Sequence, residues 1–111
     1  MLPRSRTLRS EEFARVVTSG TPIHSPRFLM RIQKTGAVQS RFSVTIPKKV
    51  ATTAVMRNLL RRRVYASLKN LMVELRPGYE GVLVLKTNIK DLSPEQLTTE
   101  IKNVLLKGSL I

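Results

Sequence analysis

SVTIPKKVATTAVMRNLLRRRVYASLKN, residues 43–70, changes its hydrophobic period partway along and so divides into two elements. In RFSVTIP (41–47), Phe42, Val44 and Ile46 alternate with Arg41, Ser43 and Thr45, the period of a strand covered on one face. From Ala54 the apolar spacing turns helical. At about 100° per residue, Leu60, Val64, Leu68 and Leu71 form one stripe. Arg57, Asn58, Arg61, Arg62, Tyr65 and Lys69 share the flank beside it, Arg63 points elsewhere, and Leu59 lies outside. Thr52 or Thr53 is placed to cap the helix start. The helix is expected to run to about Leu75, where Pro77 and Gly78 close it, because proline cannot continue a helix.

Working outward, Ser10 is expected to cap a short helix to about Ser19, with Phe13, Val16 and Val17 on one face and Gly20 ending it. In TPIHSPRFLMRIQK, Phe28, Met30 and Ile32 alternate with Arg27, Leu29, Arg31 and Gln33, a second half-buried strand. With TGAVQS as the turn, this strand and 41–47 are expected to pair as a hairpin, greasy on one face and cationic on the other. GVLVLK (81–86) is an unbroken apolar run, as in an inner strand covered on both faces. DLSPEQLTTEIKNVLLKG (91–108) has a cap at Ser93, proline at the first helical position, and Gln96 completing a capping box. Leu97, Ile101, Val104 and Leu105 form its stripe, and Gly108 ends it. The order predicts one domain, residues 1–111: a small α/β sandwich with helices packed on a mixed sheet. The strand at 41–47, the long helix and the strand at 82–86 form a crossover unit, which the general rule makes right-handed.

The chain carries 20 Lys+Arg against 7 Asp+Glu, a net charge of +13. Residues 1–73 hold fifteen of the basic residues and only Glu11 and Glu12 as acids, whereas 74–111 are balanced at five of each. A merely solubilising surface does not need that asymmetry, so it reads as a footprint for a polyanion. The arginines of 57–63 have no acid three or four residues away to relieve their repulsion. Arginine's planar fork also suits phosphate oxygens. The competing reading is a solvated face rich in good helix formers. An anionic membrane surface is a second candidate partner, but the helix's apolar stripe is needed for the core and the chain has no Trp for an interface.

There is no cysteine, hence no disulfide and no thiolate metal site. The basic N-terminus lacks the apolar run of a signal peptide, and no stretch approaches the roughly 18 apolar residues of a span, so a soluble cytoplasmic protein is expected. His24 stands alone among histidines, and Asp91 and Glu95 flank a helix start where acids are favoured anyway. Seven scattered acids and one histidine argue against a protein-only nuclease.

These residues, in this order and spacing, resemble the bacterial ribonuclease P protein component. Its signature is a lysine pair closing a strand, a short connection, and a helix opening Ala-Val-x-Arg-Asn with further basic residues one turn on. Here that reads SVTIPKKVATTAVMRNLLRRRV. LRSEEFARVVTSG is similar to the family's first helix, PRFLMRIQK to the following strand, and GYEGVLVLKTNIKDLSPEQL to the last strand and helix. Departures are Leu59 and Tyr65 at usual arginine positions, Met56 where lysine is frequent, and Ala51 and Thr52 in place of a glycine and a polar residue. Val17 and Arg31 stand where relatives often carry aromatic side chains.

The resemblance implies an α-β-β-(β)-α-β-α two-layer sandwich with a left-handed crossover, against the general rule. It implies a non-catalytic subunit of ribonuclease P, with the active site and its magnesium ions in a large RNA that removes the 5′ leader of precursor tRNA. No cofactor is expected on the protein itself, which is expected as a monomer in the ribonucleoprotein. Lys48, Lys49, Arg57, Asn58, Arg61, Arg62 and Lys69 are the expected contacts to the catalytic RNA. A cleft between the first helix and the sheet would hold the single-stranded leader. Phe13 could stack a base, and Arg31, Arg41, Ser43 and Thr45 could offer phosphate and ribose partners. Lys86 corresponds to a position where the family often has a basic residue. The alternative is a ribosomal-type or general structured-RNA-binding protein with no part in tRNA cleavage.

Overall fold

The computed structural model describes residues 6–36 and 38–111. The elements, in chain order, are α1 (Ser10–Ser19), β1 (Thr21–His24), β2 (Phe28–Lys34), β3 (Arg41–Thr45), α2 (Ala54–Leu71), β4 (Tyr79–Leu85) and α3 (Pro94–Lys107), with a short 3-10 turn at Met72–Glu74 after α2. The long helix thus ends earlier than expected, its last turn tightening before Pro77.

The four strands form one sheet in the order β1-β2-β4-β3. The expected hairpin between the second and third strands does not exist. β2 pairs antiparallel with β1 and β4, and β3 pairs parallel with β4. The apolar run of β4 explains why: a strand covered on both faces belongs inside the sheet, and β4 inserts between β2 and β3. The parallel β3–α2–β4 unit is the expected crossover, and the element order is compatible with the left-handed connection that the resemblance implies.

The main core lies on one face. Phe28 and Met30, Phe42 and Val44, and Leu83 and Leu85 from the sheet meet Leu60, Val64, Leu68 and Leu71 of α2 and Leu97, Ile101, Val104 and Leu105 of α3. Removing one of these leucines to alanine would cost ~2–5 kcal/mol. Gly81 is required at its place because a Cβ there would run into the Phe42 ring. Ser93 and Gln96 form the expected capping box of α3, with Ser93 Oγ accepting from the Gln96 amide at 3.2 Å and Gln96 Oε1 from the Ser93 amide at 2.8 Å.

α1 crosses the other face, against β4 and β2. Val16 is its one buried residue and contributes about 1.5–3 kcal/mol, so α1 is held by little apolar burial. Ser10 is not its cap: Arg9 takes that position, and its amide donates to Glu12 Oε1 at 2.9 Å. Gly20 does end the helix, but with an extended backbone, φ −70°. Its missing Cβ matters because the chain passes close to the Val16 carbonyl and the Ile32 backbone.

Candidate nucleic-acid interface

Side chains on the open sheet face line up in rows across the strands. Gln33, Glu80 and Arg41 share one row, Arg31, Val82 and Ser43 the next, and Leu29, Val84 and Thr45 the third. α1 covers the first. Arg15 Nη2 donates to Glu80 Oε1 at 2.7 Å, and Arg41 Nη1 donates to the two Glu12 oxygens at 3.0 and 3.1 Å. The Arg9 amide holds the Glu12 carboxyl below its ordinary range, aided by Arg41 against the opposing effect of burial. The Arg15 guanidinium is pushed up by its hydrogen bond to Glu80.

In the second row Val82 is fully buried, but the remaining positions of the other two rows stay half open. Arg31, Ser43 and Thr45 are half-buried there, as is Phe13 on α1, and Val17 is 40% exposed. Lys86 follows the end of β4 and donates through Nζ to the Ser25 carbonyl at 3.0 Å. Of the six expected cleft residues, Arg41 alone lies beneath α1 and is engaged by an acid. Phe28 is fully buried in the core.

On α2 the expected stripe is buried, and Leu59 is 47% exposed as read from the sequence. Thr53 is the cap, its hydroxyl accepting from the Met56 amide at 3.2 Å. Arg57 Nη1 donates to the Ala51 and Thr52 carbonyls, both at 3.0 Å, and so braces the segment that carries Lys48 and Lys49. Arg61 donates to Asn58 Oδ1 at 2.7 Å and Arg62 Nε to the Asn58 carbonyl at 3.4 Å. Lys48, Lys49, Asn58, Arg62 and Lys69 are exposed, Arg57 and Arg61 half-buried. Among the described residues, ion pairs engage Arg15, Arg27, Arg41 and Lys102, none of them on α2.

Two residues of the helix differ in role from the reading of its faces. Tyr65 is not part of an exposed flank: it is 5% exposed, and its hydroxyl accepts from the Val44 amide at 3.2 Å. It thereby satisfies an amide of β3, an edge strand, and sets the Arg61–Lys69 flank along that edge. Arg63 spans to the loop before α3, donating to the Ile89 carbonyl at 3.1 Å and the Leu92 carbonyl at 2.6 Å. The clamp residues Arg15 and Glu80 were missed as well; an acid and a base three apart on α1, Glu12 and Arg15, were the available signal.

Among the described residues, no three His, Asp or Glu side chains gather into a metal cluster, and the two carboxylates that approach each other, Glu12 and Glu80, are each bound to arginine. None of the described helices is long and apolar enough to cross a membrane.

A mixed sheet with α2 and α3 on one face and α1 on the other, an arginine helix without acid partners among the described residues, and a half-open polar cleft define a small basic protein suited to a polyanion. The family model for Ribonuclease P matches residues 1–108, and the chain belongs to the ribonuclease P protein family. The ribonuclease P protein component of Synechococcus elongatus is 34% identical over 99% of this chain and 95% of its own length, and that of Rippkaea orientalis 28% identical over 99% and 91%. A Staphylococcus aureus RNase P protein mutant superposes with a TM-score of 0.84 at 16% identity, covering 97% of this chain and 92% of that one. The Thermotoga maritima RNase P protein gives 0.78 at 19%, covering 89% and 94%. The chain is thus a protein subunit of ribonuclease P, the ribonucleoprotein endoribonuclease of tRNA processing, and the RNase P RNA is its partner.

Proposed function

We propose that this subunit is non-catalytic and works by two separate RNA contacts. Arg57, Asn58, Arg61, Arg62 and Lys69 of α2, with Lys48 and Lys49, bind phosphates of the catalytic RNA. The single-stranded 5′ leader of precursor tRNA lies in the cleft beside α1. There Phe13 stacks a base, Arg31 and Lys86 meet phosphates, and Ser43 and Thr45 bond ribose or phosphate oxygens. Arg41 contributes from beneath α1 by holding that helix. Hydrolysis and its magnesium ions belong to the RNA, and the protein screens the repulsion between two large polyanions. The ribonucleoprotein works in the cytoplasm with one copy of the chain.

The observation that carries this reading is the distribution of ion pairs: among the described residues Arg15, Arg27 and Arg41 find acids, whereas none of the four clustered arginines of α2 does. The test is precursor-tRNA cleavage by a bacterial RNase P RNA at low magnesium, with and without the protein. Stimulation is expected, weakened by Arg61→Ala and fading as magnesium rises. Arg57→Ala is expected to weaken it further, because that side chain also braces the lysine segment. Undiminished stimulation at high magnesium would refute screening, and full activity of Arg61→Ala would remove the helix from the interface.

A further inference from the structure

The ionic cluster beneath α1 has no part in either RNA contact, yet it contains a buried charge. Glu80, the second residue of β4, is only 3% exposed. Its cationic partner among the described residues is Arg15, half exposed on α1, at 2.7 Å. Three residues earlier on the same helix, Glu12 binds Arg41 of β3. Two positions on α1 are thus tied to two neighbouring strands by directional, charge-assisted bonds.

A buried ion pair is a poor way to gain stability, since apolar side chains of similar volume do as well. What it supplies is a fixed geometry. That matters here because Val16 is the one buried residue that α1 itself contributes, and one valine leaves the helix free to slide or tilt. Phe13, half-buried, and Val17, 40% exposed, lie on this helix, which packs against β2 and β4 of the same sheet face. Any shift of α1 moves that wall of the cleft.

We propose that Glu80 is the positioning residue of the leader cleft: through Arg15, and together with Glu12 and Arg41, it sets the separation between the Phe13–Val17 wall and the sheet. The proposal rests on the leader reading above. Glu80 touches no substrate, and its effect is confined to substrates that carry a leader.

The test uses the protein reconstituted with the catalytic RNA. Dissociation constants are measured for a precursor tRNA with a single-stranded leader and for the same tRNA without one. Their ratio is compared for wild type, Glu80→Gln, Arg15→Met and the double variant, after confirming each fold by circular dichroism. Glu80→Gln keeps the shape and leaves Arg15 free to turn to water, so it is expected to fold. The leader-dependent preference should fall about tenfold in Glu80→Gln, and no further in the double variant, as for two residues acting as one unit. Binding of the leaderless tRNA should not change. Equal losses for both substrates would mean a purely structural role and overturn the proposal, as would an unchanged ratio. A wild-type protein with no leader preference would overturn the leader reading itself, a result distinct from both.

Discussion

The salt dependence of binding to the catalytic RNA tests the interface most directly. Lys48, Lys49, Arg57, Arg61, Arg62 and Lys69 are six basic side chains with no acidic partner among the described residues. If each displaces a counterion, log Kd should rise with log salt at a slope of about 6 × 0.7 to 6 × 0.9, or roughly 4 to 5.5. A fourfold rise in monovalent salt should then weaken binding by about three hundred- to two thousand-fold. The assay is filter binding or fluorescence titration against the RNA alone, at several salt concentrations and constant magnesium. Arg61→Ala should lower the slope by about one. Lys102→Ala carries the same change of net charge but removes a residue of α3 already paired with Glu74 at 3.3 Å, so it should leave the slope unchanged. A slope below about two, or equal effects of the two variants, would refute the reasoning, because net charge rather than a defined footprint would then explain binding.

Two further outcomes follow from single contacts. Tyr65→Phe strands the Val44 amide, which should cost ~1–3 kcal/mol in urea unfolding while leaving RNA affinity intact; unchanged stability would mean that the edge amide finds another partner. The Glu12 carboxyl is held low in the folded protein, so its stabilising contribution is complete above its ordinary value of 4.5 and is lost as pH falls through the lower folded value. Glu12→Gln should therefore flatten the acid limb of the stability–pH curve, and an acid limb as steep as wild type would count against the clamp.

Most of the elements, though not β1, and the charge asymmetry were legible in the sequence alone. Periods of two and of 3.6 mark where strands and helices lie, because a side chain's face depends on local geometry. The Ser93–Gln96 box and the Thr53 cap are equally local. The arginine flank was legible because no acid is near it in the chain, and the lysine pair before it sharpened the resemblance to a family. What only the tertiary structure decided are contacts between residues far apart. β2 and β3 each alternate correctly, but nothing in either strand says that β4 will come between them. Tyr65 falls among cations on a helical wheel, and only the neighbouring edge of β3 turns it inward. Arg15 and Glu80 are 65 positions apart, and Arg41 and Glu12 are 29 apart. Each is an ordinary surface charge until α1 is laid across the sheet. Pairing of this kind depends on where the whole chain places two groups, which no local period encodes.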